Sequence, residues 1–201
     1  MSMKFRRESA AKTVIAMGIM GAAVFGTTVS TPTPLISASS AAAAAATSDS
    51  ISAEQKQMAI DTLNSFYKPA LKGQFPGAVS GFTMGKTKRT EVIKKFGEPM
   101  EKSGGFEFYT ANMGNPGYAF AYKSGVINEM RYFGTNVERQ TNIGGITISM
   151  LWQQWFKPEH STIIHSGGKQ QIKVTYLRGD YKLDFIFNSK TDLDHINLTK
   201  A

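Results

Sequence analysis

Apolar residues first recur at helical spacing after Ser52. Met58, Ile60, Leu63, Phe66 and Tyr67 predict a helix that opens on Ser52-Ala-Glu-Gln and ends or kinks at Pro69. Lys72-Gly-Gln-Phe-Pro-Gly is a turn-rich connection. Between Gly85 and Pro99 a second, shorter helix is expected, with Thr87 as its cap and Val92, Ile93 and Phe96 on one face. Gly97 supplies its stop, and Pro99 prevents continuation. Two turns of helix are marginal alone, so packing must hold them. The period then drops to two: Phe106/Phe108, Tyr118/Phe120/Tyr122, a Ser124-Gly125 turn, and Met130/Tyr132. That pattern predicts a meander of antiparallel strands with one apolar face.

The same order returns. At an offset of 59 residues Thr90 meets Ser149, Val92 meets Leu151, Ile93 meets Trp152, Phe96 meets Trp155 and Pro99 meets Pro158. Alternation resumes in Ile172/Val174/Tyr176, Tyr181/Leu183/Phe185/Phe187 and Ile196/Leu198. The fold class is therefore α+β: two tandem helix-plus-antiparallel-sheet repeats, about 77–136 and 137–201, behind an N-terminal helix. Each copy alone can bury only one face of a small sheet, so the two sheets are expected to join edge to edge with both helices on one side. Residues 76–201 form the duplicated domain in this reading, and 47–75 are linker and N-terminal helix.

The leader adds a compartment. Lys4, Arg6, Arg7 and Lys12 precede an uncharged, mostly apolar stretch from Thr13 to Val29, the pattern of a signal peptide. Glycines dilute that stretch, Pro32 and Pro34 follow, and the small-residue run Ser37 to Ala46 offers cleavage sites. Residues 1–46 are thus read as a removed signal, leaving no integral membrane span. The chain has no cysteine, which removes disulfides, thiolate metal sites, a cysteine nucleophile and a lipoprotein anchor together. A secreted, extracellular protein is expected, free or associated with the cell wall. Net charge is +8 overall, but without the leader 19 basic residues stand against 14 acidic, or +5. That excess suits anionic cell-wall polymers, although scattered solvated lysines explain it as well.

Gly-x-Thr, then Val or Leu, then Gly-x-Pro resembles the helix signature of the β-lactamase inhibitor protein fold. The first repeat carries it in Gly85, Thr87, Glu91, Val92, Gly97 and Pro99, with one extra residue between its glycine and valine, and the second in Gly145, Thr147, Leu151 and Pro158, with Phe156 standing where the signature has glycine. From about Gly77 to Ala201 the chain also resembles the YjgB-like uncharacterised secreted proteins of Gram-positive bacteria. The resemblance implies an exported protein of unassigned activity.

Candidate chemistry is sparse. Gly85-Lys86-Thr87 lacks the glycine a phosphate loop needs, since Ser80 occupies that position. His160, His165 and His195 show no metal-ligand spacing, and Asp194 and His195 should point to opposite faces of a strand. Asp180 and Asp184 share a strand face at a separation too long for glycoside chemistry. Arg178-Gly179-Asp180 reads as a turn, and Trp152 and Trp155 as core. No catalytic residue, metal or cofactor is expected, and no nucleic acid partner.

The sheet face away from the helices is more informative. Alternation assigns to it Glu107, Tyr109, Ala119, Ala121, Glu129, Arg131, Phe133, Lys173, Thr175, Lys182, Asp184 and Ile186, with His195 a further candidate. Rings, small residues and both charge signs suit a binding surface, with Tyr109, Arg131, Lys173, Lys182 and Asp184 as its candidate contacts. The expected function is a secreted binding or inhibitor-type module acting on an extracytoplasmic protein. Retention on wall polymers by basic charge, and an unrecognised hydrolase, are the alternatives.

Overall fold

The computed structural model describes residues 52–201. Helix α1 (Ala53–Ser65) begins where Ser52 Oγ accepts from Gln55 N at 3.1 Å while Gln55 Oε1 accepts from Ser52 N at 3.0 Å, so two free donors are satisfied reciprocally. Ala59, Leu63 and Phe66 then lie at intervals of four and three and are fully enclosed. The chain turns at Phe66 into α2 (Tyr67–Ala70). Because α1 buries its inner face in the common core, it belongs to the same compact unit as the sheet. No domain boundary falls near residue 76.

Helix α3 (Arg89–Phe96) stops at Gly97, whose φ of 82° frees the chain to leave the helix. Thr87 is not its cap. The Thr87 hydroxyl faces inward and accepts from Thr83 N at 2.8 Å, and Glu91 serves the helix start by accepting from Lys88 N at 3.1 Å. Helix α4 (Ile148–Trp155) follows the expected pattern, with Thr147 Oγ1 accepting from Met150 N at 3.0 Å.

Eight antiparallel strands form one sheet: β1 (Glu101–Ser103), β2 (Phe106–Tyr109), β3 (Gly117–Lys123), β4 (Val126–Gly134), β5 (His160–Ser166), β6 (Lys169–Arg178), β7 (Tyr181–Ser189) and β8 (Asp192–Lys200). Their order is β1-β2-β3-β4-β8-β7-β6-β5. The last strand of each half meets at the centre, where Met130 pairs with Leu198 and Tyr132 with Ile196.

One sheet face carries the core. Tyr118, Phe120, Met130, Tyr132, Val174, Tyr176, Leu183, Phe185, Ile196 and Leu198 alternate onto it, as their period of two predicts. Each such side chain contributes about 1.5–3 kcal/mol on leaving water. Val92, Leu151 and Trp155 close the same core from the helices, with Phe96 packed at its margin. No helix among the described residues is long and apolar enough to cross a membrane.

Candidate functional site

Residues directly paired in an antiparallel sheet point to the same side, so the register lays out the face opposite the core row by row. One row runs Phe106, Ala121, Glu129, Thr199, Lys182 across β2, β3, β4, β8 and β7. The next runs Phe108, Ala119, Arg131, Asn197, Asp184 and Thr175, and ends on His160 of β5. The small side chains of Ala119 and Ala121 lie between the β2 rings and the Glu129/Arg131 pair, and Ala119 is fully covered. Arg131 reaches across: its Nε donates to Glu129 Oε1 at 3.0 Å, and its guanidinium carbon sits 3.8 Å from the centre of the Phe106 ring. The rings themselves form a ladder, Phe106 to Phe108 at 6.3 Å, Phe108 to Phe133 at 6.0 Å and Phe133 to His195 at 5.4 Å.

Arg131, Lys173, Lys182 and Asp184 all lie on this open face, as alternation predicts. Asp184 is nonetheless mostly shielded, and Thr175 Oγ1 donates to its Oδ1 at 2.5 Å. It anchors the floor of the face more than it displays charge.

Tyr109 is not on the open face. Its ring is buried against Phe96 at 5.5 Å and Phe120 at 5.7 Å, and Glu107 accompanies it, accepting from Arg89 Nε of α3 at 2.8 and 3.0 Å. Phe106 and Phe108 take the outward positions instead. A four-residue strand reading Phe-Glu-Phe-Tyr has aromatic rings in both phases, so alternation alone cannot orient it. The partner strand could have: Ala119 and Ala121 leave space for large rings on one side only, where Phe108 and Phe106 pair with them.

Asp194 and His195 also depart from expectation. They meet, with Nδ1 of His195 at 2.6 Å from Asp194 Oδ2. The register slips beside Ile186, so β8 carries one extra residue, and the bulge turns two consecutive side chains toward each other. The signal was present in the spacing, since core residues fall at Leu193, Ile196 and Leu198 and not at a strict period of two. The hydrogen bond with His195 holds the Asp194 carboxyl below the usual range; burial opposes this, and the charges of His195 and Arg139 and a bond from Asn188 add to it. A depressed folded value means stability that is present above the unfolded pKa of about 3.9 and lost as pH falls through the folded value. Asp194→Asn should therefore be less stable than the parent in urea at about pH 6, with the gap closing below about pH 4. A gap independent of pH would remove this bond from the stability account.

Other motifs resolve as structure. The Arg178 guanidinium lies 4.1 Å from the Tyr67 ring centre and 4.8 Å from that of Trp155, so the arginine of Arg178-Gly179-Asp180 is committed to stacking. Trp155 is core, enclosed by Tyr67, Tyr176 and Phe185, whereas Trp152, expected to be core as well, is 48% exposed. Among the described residues, no three His, Asp or Glu side chains converge as a metal site requires.

Comparison with known proteins gives a consistent result. Residues 63–199 match the family described as Domain of unknown function (DUF4309). The uncharacterized protein YjgB of Bacillus subtilis (strain 168) is 37% identical over 154 residues, spanning 75% of this chain and 80% of that protein. The crystal structure of a DUF4309 family protein (YjgB) from Bacillus subtilis superposes with a TM-score of 0.68 at 35% identity, covering 72% of this chain and 99% of that chain.

Proposed function

The chain belongs to the DUF4309 family, and from that premise and its open sheet face we propose that it is an exported binding module of the inhibitor type, acting by contact with an extracytoplasmic protein and not by catalysis. The observation that carries this reading is the ring ladder Phe106–Phe108–Phe133–His195 beside the Arg131/Glu129 pair, on the side of the sheet that the core leaves uncovered. Aromatic residues and arginine are the types enriched at the centres of protein interfaces. Export is supported by the basic start and apolar stretch of residues 4–29.

A finer reading of the fold goes with it, two tandem units like the β-lactamase inhibitor protein. Its support is the strand order, in which β1 to β4 run inward from one edge and β5 to β8 from the other, each set preceded by a short helix.

The test is affinity capture from the producing organism's exported proteins. The parent chain should retain a protein that Arg131→Ala, Lys182→Ala loses, a weakening of about 2 kcal/mol or more, or roughly 30-fold. If the double variant captures as well as the parent, while retention on purified wall material vanishes in moderate salt, basic charge and not the open face is what binds.

A further inference from the structure

The two edges of the sheet are built differently. Edge strand β1 has three residues, two of them the charged Glu101 and Lys102, which is how soluble proteins discourage strand addition. Edge strand β5 has seven residues, reads His-Ser-Thr-Ile-Ile-His-Ser, and carries no lysine, arginine, acid or proline. Its side chains are almost all exposed, Ile163 at 61%. Pairing of Ser161 with Val174 and of Ile163 with Ile172 puts Ile163 on the core side of the sheet, the side on which α4 lies. There α4 presents Trp152 and Phe156, the latter 78% exposed, over a groove of about 500 Å³ that also borders Lys157, Glu159, His160 and Ser161. Phe156 has φ 62° and ψ −153°, where the corresponding end of α3 uses Gly97 at φ 82°. A bulky residue in a conformation natural to glycine, with its ring left in solvent, gains nothing for folding.

We infer that the β5 edge, with Trp152 and Phe156 beside it, is the surface through which two copies of this chain pair, β5 against β5 antiparallel about a two-fold axis at Ile163. The strand is complementary to itself in that register. His160 falls opposite Ser166 of the second copy and Ser161 opposite His165, so each large ring meets a small side chain, while Thr162 meets Ile164 and Ile163 meets its own counterpart. A strand without formal charge meets its copy without the repulsion that the chain's net basic surface would otherwise impose. Each copy also lays its Ile163 row beside the other's edge and extends the apolar surface begun by Trp152 and Phe156. The assembly is closed: both β5 edges are consumed and only the short, charged β1 edges remain, so growth stops at two. This inference is independent of the open-face reading, because the residues of β2, β4 and β7 that carry that reading take no part in the pairing.

The absence of cysteine makes the test direct. In the full chain, Ile163→Cys should be joined into a covalent dimer by a short thiol-to-thiol crosslinker, and Ser103→Cys on the opposite edge should not. Sedimentation of the full chain should give a concentration-dependent dimer. Ile163→Lys and Ile163→Glu should each weaken that dimer by about tenfold or more, because like charges then face each other at the axis. Mixing the two variants should restore it. A chain that stays monomeric at every concentration overturns the inference and leaves β5 to a foreign strand. Equal crosslinking at Ser103→Cys, an open series of larger species, or a dimer indifferent to both Ile163 substitutions overturns it too.

Discussion

Trp155→Ala is expected to cost about 3–5 kcal/mol of folding stability, the largest effect of any single substitution considered for this protein. Trp155 is 4% exposed and packs edge-on against Tyr67 at 5.1 Å, Tyr176 at 5.5 Å and Phe185 at 5.3 Å. Its Nε1 donates to Asn64 Oδ1 at 3.0 Å, linking α4 to α1. Truncation would remove the ring's transfer energy, open a cavity between helix and sheet, and leave Asn64 without its donor. Arg178 would also lose one of its stacking faces. Urea unfolding followed by far-ultraviolet circular dichroism measures the change, and a loss below about 1 kcal/mol would mean that the indole is not part of the cooperative core. Trp152→Ala is the internal control. With that side chain half in solvent, its loss should be well tolerated.

The second large effect separates two neighbours on β2. Tyr109→Ala should destabilise by about 3 kcal/mol or more, because it empties a site between α3 and the sheet that Phe96 and Phe120 surround. Phe108→Ala should cost much less in folding, since that ring lies on the outer face over Ala119. In binding the order reverses: Phe108→Ala should weaken partner capture by about 2 kcal/mol, whereas folded Tyr109→Ala should retain it. Measuring both quantities for both variants tests the orientation of β2 directly. Were Tyr109→Ala the harmless one in unfolding, the register that sends Phe108 outward would be refuted, and with it the ring ladder.

Much of this protein was legible along the chain. The α+β class, the five core-facing strands from Tyr118 to Tyr132 and from Val174 to Leu198, the start of α1 at Ser52 and the stop of α3 at Gly97 follow from period, cap and turn chemistry, which act over a few residues. The placement of Arg131, Lys173, Lys182 and Asp184 on one face followed in the same way, because long strands whose apolar residues occupy one phase have only one orientation that buries them.

Other features were decided only when the strands met. Strand β2 is short and aromatic in both phases, so its orientation depends on which side of β3 has space. Ala119 and Ala121 draw Phe108 and Phe106 outward, while Arg89 of α3 pairs with Glu107 on the inner side. The contact between Asp194 and His195 needs a bulge that arises from matching β8 to β7, and neither strand specifies it alone. Thr87 is chemically fit to cap a helix, yet the approach of Thr83 claims its hydroxyl. Trp152 and Trp155 sit on one short helix, but only the tertiary packing encloses Trp155 among Tyr67, Tyr176 and Phe185 while the Trp152 ring reaches solvent. Period and capping are local and therefore readable in sequence. Space, pairing register and competition for a donor belong to residues far apart in the chain, so the fold alone settles them.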